Sequence, residues 1–406
     1  MKQKASIYGG NCLGAILTNR GRTPLKYFLS YKRENLDDVK IIASVLMLHG
    51  VSIWQDINHL NTGLTERQIQ KAIQNECSGL VFLSTKESVR SLIILKVELP
   101  EAEQRVKKGP SFHILPIFKQ GVKETDNALS GAVTIPLSNY HGVVITKPRN
   151  KKAILKAAYD SACLILKSAK FNLRKPLLIS MTSRHNLGKD VSLAINLSSY
   201  FTMGMPSQDI WNNEFKSAFI SIRNNLALKK MFNLKLFCFA PLSLGLLFGY
   251  IFRETTGFTL EVKQRSANWA TSAKKGRNPL KCNISPGNDV RSKNLLVKID
   301  LISSGDAPLR SFIKTSKIRY RALIEFDPPS YPCHISKNQA NIIAHEVASK
   351  IKQTNAKSGT NKVHLFLAGP FGLALFIGYY LNACGLIQCY EYNNANCQYS
   401  PSCILG

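Results

Sequence analysis

Three glutamates, Glu98, Glu101 and Glu103, lie on one predicted helix, and a carboxylate is a group that can act on a developing positive charge. The helix follows a short apolar strand, Gly79 to Ser84, and ligands of open parallel sheets lie outside the carboxyl ends of such strands. One carboxylate beside a sugar can stabilise a developing oxocarbenium ion, as one half of a glycosidase pair does. On spacing alone the three glutamates look similar, and each also fits an ordinary helix-surface carboxylate. Two other motifs fail on inspection. His345-Glu346 lacks the second histidine of a zinc-protease helix, and Gly188-Lys189-Asp190 lacks the glycine spacing and hydroxyl residue of a phosphate-binding P-loop. Ten cysteines show no CxxC pair and no zinc-like Cys/His spacing, so no metal and no ATP chemistry is expected.

The elements that must hold these groups follow from periodicity. Tyr27 to Ser30 is a strand, and Leu36, Val39, Ile42, Ala43 and Leu46 mark one face of a helix that stops at His49-Gly50. Val51 to Trp54 is a second strand, Gln55 to Gly63 a polar loop and Leu64 to Glu76 a helix. Gly79 to Ser84, a helix from Ser88 to Lys107, and the strand Phe112 to Phe118 continue the alternation, which predicts a parallel sheet covered on both faces. Ala128 to Pro148, with two glycines and two prolines, reads as loops. Asn150 to Lys170 is a basic amphipathic helix joining two domains, and Phe171 to Pro176 is the boundary.

The second half contains two long apolar stretches. Lys235 to Phe252 aligns with His364 to Leu381 at a constant offset of 129, with seven of eighteen positions identical, including Pro241/Pro370, Gly249/Gly378 and Tyr250/Tyr379. Either stretch by itself invites a membrane reading. Repetition of a strand, a Pro-containing turn, a helix and a second strand favours a duplicated buried core instead. Similar strands (Leu177 to Met181, Leu295 to Ile299) and helices (around Trp211 to Leu226, and Gln339 to Lys352) precede each copy, so the duplication covers two units, not one motif.

A chain of 406 residues has core enough for two or three domains. Its net charge of +29, from 54 basic and 25 acidic residues, favours an anionic partner, although the basic residues are scattered and also fit a merely basic protein. Cys238, Cys384 and Cys389 sit in apolar segments and read as reduced core residues of a cytoplasmic protein. The basic start at Met1 is not followed by a signal-peptide core, and Cys403 to Gly406 is taken as a chance likeness to a lipidation box.

Residues 24–150 resemble a TIR domain: Phe28 to Tyr31 followed by basic residues, the strand ending at Trp54 with Asp56 after it, the Gly-containing loop before Leu64, and the helix bearing Lys96-Val97-Glu98-Leu99. The resemblance implies a flavodoxin-like α/β fold with a parallel sheet, and for the catalytic members of that family cleavage of NAD+ at the nicotinamide–ribose bond. Glu98 matches the catalytic glutamate. Nicotinamide in NAD+ is already a cationic leaving group, so one carboxylate can suffice. Lys32 and Arg33 could meet the pyrophosphate, Trp54 or Tyr31 could stack on a ring, and Asp56 would border the same cleft; a solvated surface pair is the equal alternative for Lys32 and Arg33. The family often has Trp four residues before the glutamate, and this chain has Ile94.

Residues 171–406, beyond a connector at 151–170, resemble a SAVED domain through the two Pro-containing turns, the segment Glu261 to Arg265 ending in Trp269, and Tyr390-Glu391-Tyr392. Two fused Rossmann-like (CARF-like) halves, about 171–275 and 290–406, are implied, with one central pocket between them. The resemblance implies a cyclic oligonucleotide activator, expected to be a cyclic triadenylate, in bacterial antiphage (CBASS) defence. It also implies head-to-tail self-association on binding, with the loop from Ile57 to Leu64 completing a neighbour's site; neither DNA nor a membrane is an expected partner. NAD+ enters as substrate, so no cofactor is expected. Helix N-termini around Pro241 to Ser243 and Pro370 to Gly372 would present N–H groups to phosphates. Thr182, Arg184 and Arg265 would border the pocket, and Phe371, Trp269 or Tyr392 could stack on adenines. A bulky charge at Gly372 is expected to abolish the response while sparing the fold. The rival readings are a non-catalytic signalling scaffold and a membrane-acting protein.

Overall fold

The computed structural model describes residues 25–54, 66–109, 111–184, 191–272, 277–302, 307–393 and 397–406. The fold is mixed α/β, with three sheets. The first is built from β1 (Lys26–Ser30), β2 (Ser52–Trp54), β3 (Gly79–Ser84), β4 (His113–Phe118) and β5 (Val143–Val144), ordered β2-β1-β3-β4-β5 and parallel throughout. All six residues of β3 are buried, as a central parallel strand requires. The helices of this part are α1 (Leu36–Leu48), α2 (Glu66–Lys71), α3 (Leu99–Lys108) and α4 (Val122–Leu129). Helix α4 and strand β5 fall in or beside the segment expected to be loops. β5 has only two residues, and α4 opens the polar stretch after β4, so neither carries much periodicity.

Helix α5 (Lys151–Ser168) is the connector, started by Asn150, whose Oδ1 accepts from Lys152 N at 2.8 Å. It packs between α1 and α6 (Lys216–Leu228). One continuous hydrophobic core runs from the first sheet through α5 into the second domain. A backbone bond from Ala194 N to Gly50 O, 2.9 Å, also joins the two parts.

The second sheet comprises β6 (Leu177–Thr182), β7 (Leu193–Asn196), β8 (Asn233–Phe239), β9 (Thr259–Gln264) and β10 (Ala267–Ala270), in the order β10-β9-β8-β6-β7. The third comprises β11 (Lys281–Pro286), β12 (Asn294–Asp300), β13 (Ala322–Asp327), β14 (Lys362–Ala368), β15 (Leu386–Asn393) and β16 (Gln398–Leu405), in the order β11-β13-β12-β14-β15-β16. Apart from the added edge strand β11, the two orders are the same path, and each ends in an antiparallel hairpin, β9–β10 and β15–β16. The duplication read from sequence is therefore a duplication of topology. Helix α7 (Leu242–Ile251) follows β8; α8 (Ala307–Ser316) and α9 (Lys337–Ser358) belong to the second copy, and α10 (Phe371–Tyr380) follows β14. Helix α9 starts at a capping box, Ser336 with Gln339, and stops at Gly359, whose φ of 63° only glycine adopts without strain.

No helix among the described residues is long and apolar enough to cross a membrane. The two apolar helices, α7 and α10, have ten residues each, about 15 Å of helix against about 30 Å of bilayer core. They are apolar on every side because they lie between two sheets and against each other.

Candidate functional site

In the first domain, the order β2-β1-β3-β4-β5 reverses direction between β1 and β3, which opens a crevice at their carboxyl ends. Ser30, the last residue of β1, is there. Its hydroxyl donates to Glu98 Oε2 at 2.5 Å, and both residues are buried. Glu98 closes a π-helical turn, Ile94–Glu98, that leads into α3. Pro100 has no N–H to continue a regular ladder back from α3, and wide turns of this kind recur at functional sites because they re-aim a side chain.

Tertiary structure separates the three glutamates that sequence could not. Glu101 accepts from Gln74 Nε2 at 2.6 Å. Glu103 accepts from Thr134 N (2.9 Å), Thr134 Oγ1 (2.6 Å) and Ile135 N (2.7 Å), so it braces the chain after α4. Only Glu98 of the three reaches the strand ends. At and beyond the carboxyl ends of β1, β3 and β4 lies a polar lattice that sequence reasoning missed. Asn35 Nδ2 donates to Thr85 Oγ1 (3.1 Å) and Glu87 Oε2 (3.4 Å), Ser84 Oγ meets Thr125 Oγ1 (2.6 Å), and Lys119 pairs with Asp38. The one available signal was a serine at the end of β1 and of β3.

Tyr31 and Lys32 follow β1 and are half-buried, and Arg33 is exposed at the start of a 3-10 turn. Trp54 is a correction: it stacks on Phe28 (centroids 4.9 Å apart, planes 19° apart), is 4% exposed, and shares a core cluster with Ile94. Its faces are used in packing, which leaves Tyr31 as the expected aromatic beside the crevice. Asp56 and the loop from Ile57 to Leu64 lie outside the described residues.

In the second domain, α7 and α10 run parallel, because residues about 129 apart face each other along their whole length. A Cβ at Gly245 would meet Ala374 and Phe371, one at Gly249 would run into the backbone of Leu375 and Tyr379, and one at Gly378 into the backbone of Leu246. The contacts are reciprocal: Gly249 sits on Leu375 and Gly378 on Leu246, so the repeated glycines and leucines are one pseudo-twofold crossing seen twice. Their amino ends converge at the carboxyl ends of β8 and β14, where two positive helix poles add.

These poles are capped by exchange between halves. Gly372 N donates to Gln264 Oε1 at 3.0 Å, and Ser243 N donates to a carboxylate oxygen of Glu391. Gln264 ends β9 and Glu391 is at the matching place on β15, so each half supplies the cap of the other half's helix. Burial pushes the Glu391 carboxyl up, against the two hydrogen bonds from Ser243 that draw it down.

This arrangement corrects three expected ligand contacts. Ser243 is fully buried, its hydroxyl bonded to Ser402 at 2.6 Å, and its N–H is taken by Glu391. Gly372 is covered by the Trp269 ring, 2.7 Å from where a Cβ would lie, so a bulky charge there would disrupt the core and could not spare the fold. Trp269 is itself a core residue at 5% exposure. The other residues border the same end. Pro241 and Pro370 are the N-cap residues, half-buried, and Phe371 is half-buried over Gly245. Thr182 is buried at the end of β6, with Arg184 N bonded to its Oγ1 at 3.4 Å and the Arg184 side chain exposed. Arg265 is exposed at the tip of the β9–β10 hairpin with φ of 52°, and Tyr392 lies edge-on to Tyr399 at 5.2 Å.

Residues 215–405 match the family model of SAVED, the SMODS-associated and fused to various effectors sensor domain. This stretch, similar to the SAVED sensor-domain family, runs from the end of the helical turn before α6 to the end of β16. No curated protein matches the chain. Among solved structures, the Cap4 SAVED/CARF-domain containing receptor of Acinetobacter baumannii with the cyclic trinucleotide 3'3'3'-cAAA is 16% identical, with a TM-score of 0.49 over 94% of this chain and 88% of that one. The Moraxella osloensis Cap4 receptor is 17% identical, with a TM-score of 0.45 over 92% and 99% of the two chains.

Proposed function

We propose that the chain is a cyclic-oligonucleotide-activated NAD+ glycohydrolase of an antiphage (CBASS) system, with a TIR-type domain as effector and the SAVED domain as sensor. The observation that carries the reading is the Ser30–Glu98 pair at the switch point of a flavodoxin-like sheet, on the same chain as a domain of a sensor family described as fused to effectors. In this mechanism Glu98, held by Ser30, stabilises the positive charge that develops on the ribose as neutral nicotinamide leaves, and water then adds to the same carbon. Tyr31 borders the nicotinamide, and Lys32 and Arg33 meet the pyrophosphate.

The activator we assign is a cyclic triadenylate, bound where the amino ends of α7 and α10 converge. Arg184 and Arg265, exposed near that end, supply charge for its phosphates, and Phe371 and Tyr392 supply faces for its bases. Binding across two halves gives the ligand a way to favour one relative arrangement of them, and α5 links that arrangement to the first sheet. Head-to-tail self-association belongs to the same proposal, since an anionic ligand lowers the repulsion between copies of a +29 chain.

The test is release of nicotinamide from NAD+ by the purified chain, with and without a panel of cyclic oligonucleotides. Release only with a cyclic oligoadenylate, lost in Glu98→Gln, is the expected result. No release with any member of the panel, or release that survives Glu98→Gln, overturns the reading. Light scattering with saturating ligand tests assembly; a fully active monomer removes that part alone.

A further inference from the structure

At the seam between the two domains, on the side away from Glu98, is a cavity of about 240 Å³. Its wall comes from three places: the amino ends of β1, β3 and β4, the segment that leaves α5, and the starts of β6 and β7. The polar residues on it are Ser78, Ser111, Ser192, Tyr27, Asn172, His113, Lys170 and Ser168, whose hydroxyl donates to Ile165 O at 3.0 Å. No carboxylate lines it among the described residues, and neither the His113 ring nor Lys170 has a hydrogen-bond or ion-pair partner among them. An ammonium and an imidazole lie close together here. The proximity is close enough that Lys170, after burial, holds His113 below its ordinary value.

We propose that this cavity is an anion site for a phosphate group, held by Lys170, His113 and the serines Ser78, Ser111 and Ser192. The chemistry is that of other phosphate sites: one fixed cation, a second group that donates when protonated, and several neutral donors. The size points the same way, since the cavity is smaller than the roughly 300–1,000 Å³ that takes drug-sized ligands. The volume suits inorganic phosphate or the phosphate end of a nucleotide whose remainder lies outside. An anion there would bridge the first sheet, the segment after α5 and β7, tying the first domain to the second. The site is separate from the proposed NAD+ and cyclic-nucleotide sites, and its test requires neither.

The experiment is thermal unfolding of the full chain titrated with inorganic phosphate against chloride at matched ionic strength, for the wild type, Lys170→Gln and the double variant with His113→Gln. Lys170 is exposed and His113 half-buried, so the variants fold, and circular dichroism checks this. The expected result is a phosphate-specific rise in melting temperature, an apparent affinity weaker on the order of tenfold in Lys170→Gln, and no rise in the double variant. AMP run in parallel separates the sources of the phosphate: a variant-sensitive response stronger than that of inorganic phosphate means a nucleotide-borne group. A rise of equal size in wild type and double variant means diffuse attraction to a basic chain and overturns the proposal, as does the lack of any phosphate-specific rise.

Discussion

The crossing of α7 and α10 makes a sharp quantitative claim. Gly249→Ala places a methyl group into the Leu375 carbonyl and within 2.9 Å of Tyr379 N, and Gly378→Ala places one into the Leu246 carbonyl. The obstacles are backbone, so neither can rotate away, and the helices must separate. Overpacking of this kind costs about 1–3 kcal/mol, occasionally more. It is offset by about 0.5–1 kcal/mol because alanine is the better helix former. A net loss of about 1 kcal/mol is expected for each variant, about 2–4 °C in melting temperature for a domain of this size. The pseudo-twofold adds that the two losses match, and that the double variant loses less than their sum, since helices already separated by the first methyl accommodate the second. Gly109→Ala is the control, because nothing lies within 4 Å of a Cβ there. Calorimetry reads all four variants against the wild type. Wild-type stability in either single variant, or a large difference between the two, would refute the parallel crossing.

Ser30→Ala removes the hydroxyl that donates to Glu98, and a lost hydrogen bond to a charged group is worth about 1.5–3 kcal/mol; nicotinamide release is expected to fall about tenfold or more with little change in KM, and an unchanged rate counts against Ser30 as a positioning residue. Glu391→Gln keeps the cap on α7 but removes a charge from the pole, so cyclic triadenylate should bind several-fold tighter by calorimetric titration; weaker binding would show that the carboxylate contacts the ligand directly. His49 is fully buried against Tyr159, and burial holds it down to about 4 despite its bond to Val45 O. The unfolded chain binds a proton near 6.5 and the folded chain only near 4, so this stability is complete above pH 6.5 and is lost as pH falls towards 4. Between pH 8 and pH 5 the loss is about 2 kcal/mol. Urea unfolding at the two pH values measures it, and His49→Leu should flatten the slope.

Much of the architecture was readable in the chain because buried parallel strands and the helices between them leave strong patterns. Gly79–Ser84 is fully buried and matches its predicted bounds, and the offset of 129 aligns β8 with β14 and α7 with α10 residue for residue. The short elements were not readable: two-residue β5 has no period to detect. Trp54 and Trp269 show a second kind of miss. A ring near a strand end satisfies the same local pattern whether it faces a ligand or a neighbour, and only packing against Phe28 or Gly372 decides.

The residue types of the candidate site, the alternation that builds the first sheet and the duplication of the second domain were determined by the sequence itself, because each rests on local periodicity or on internal likeness. Which of three neighbouring glutamates meets the strand ends, and why the repeated glycines and leucines are there, was decided only in three dimensions. Glu98 and Ser30 are 68 residues apart in the chain, and Ser243 and Glu391 are 148 apart. No local pattern encodes such pairs; they exist because separate parallel strands end at one edge and two halves of one domain cap each other's helices.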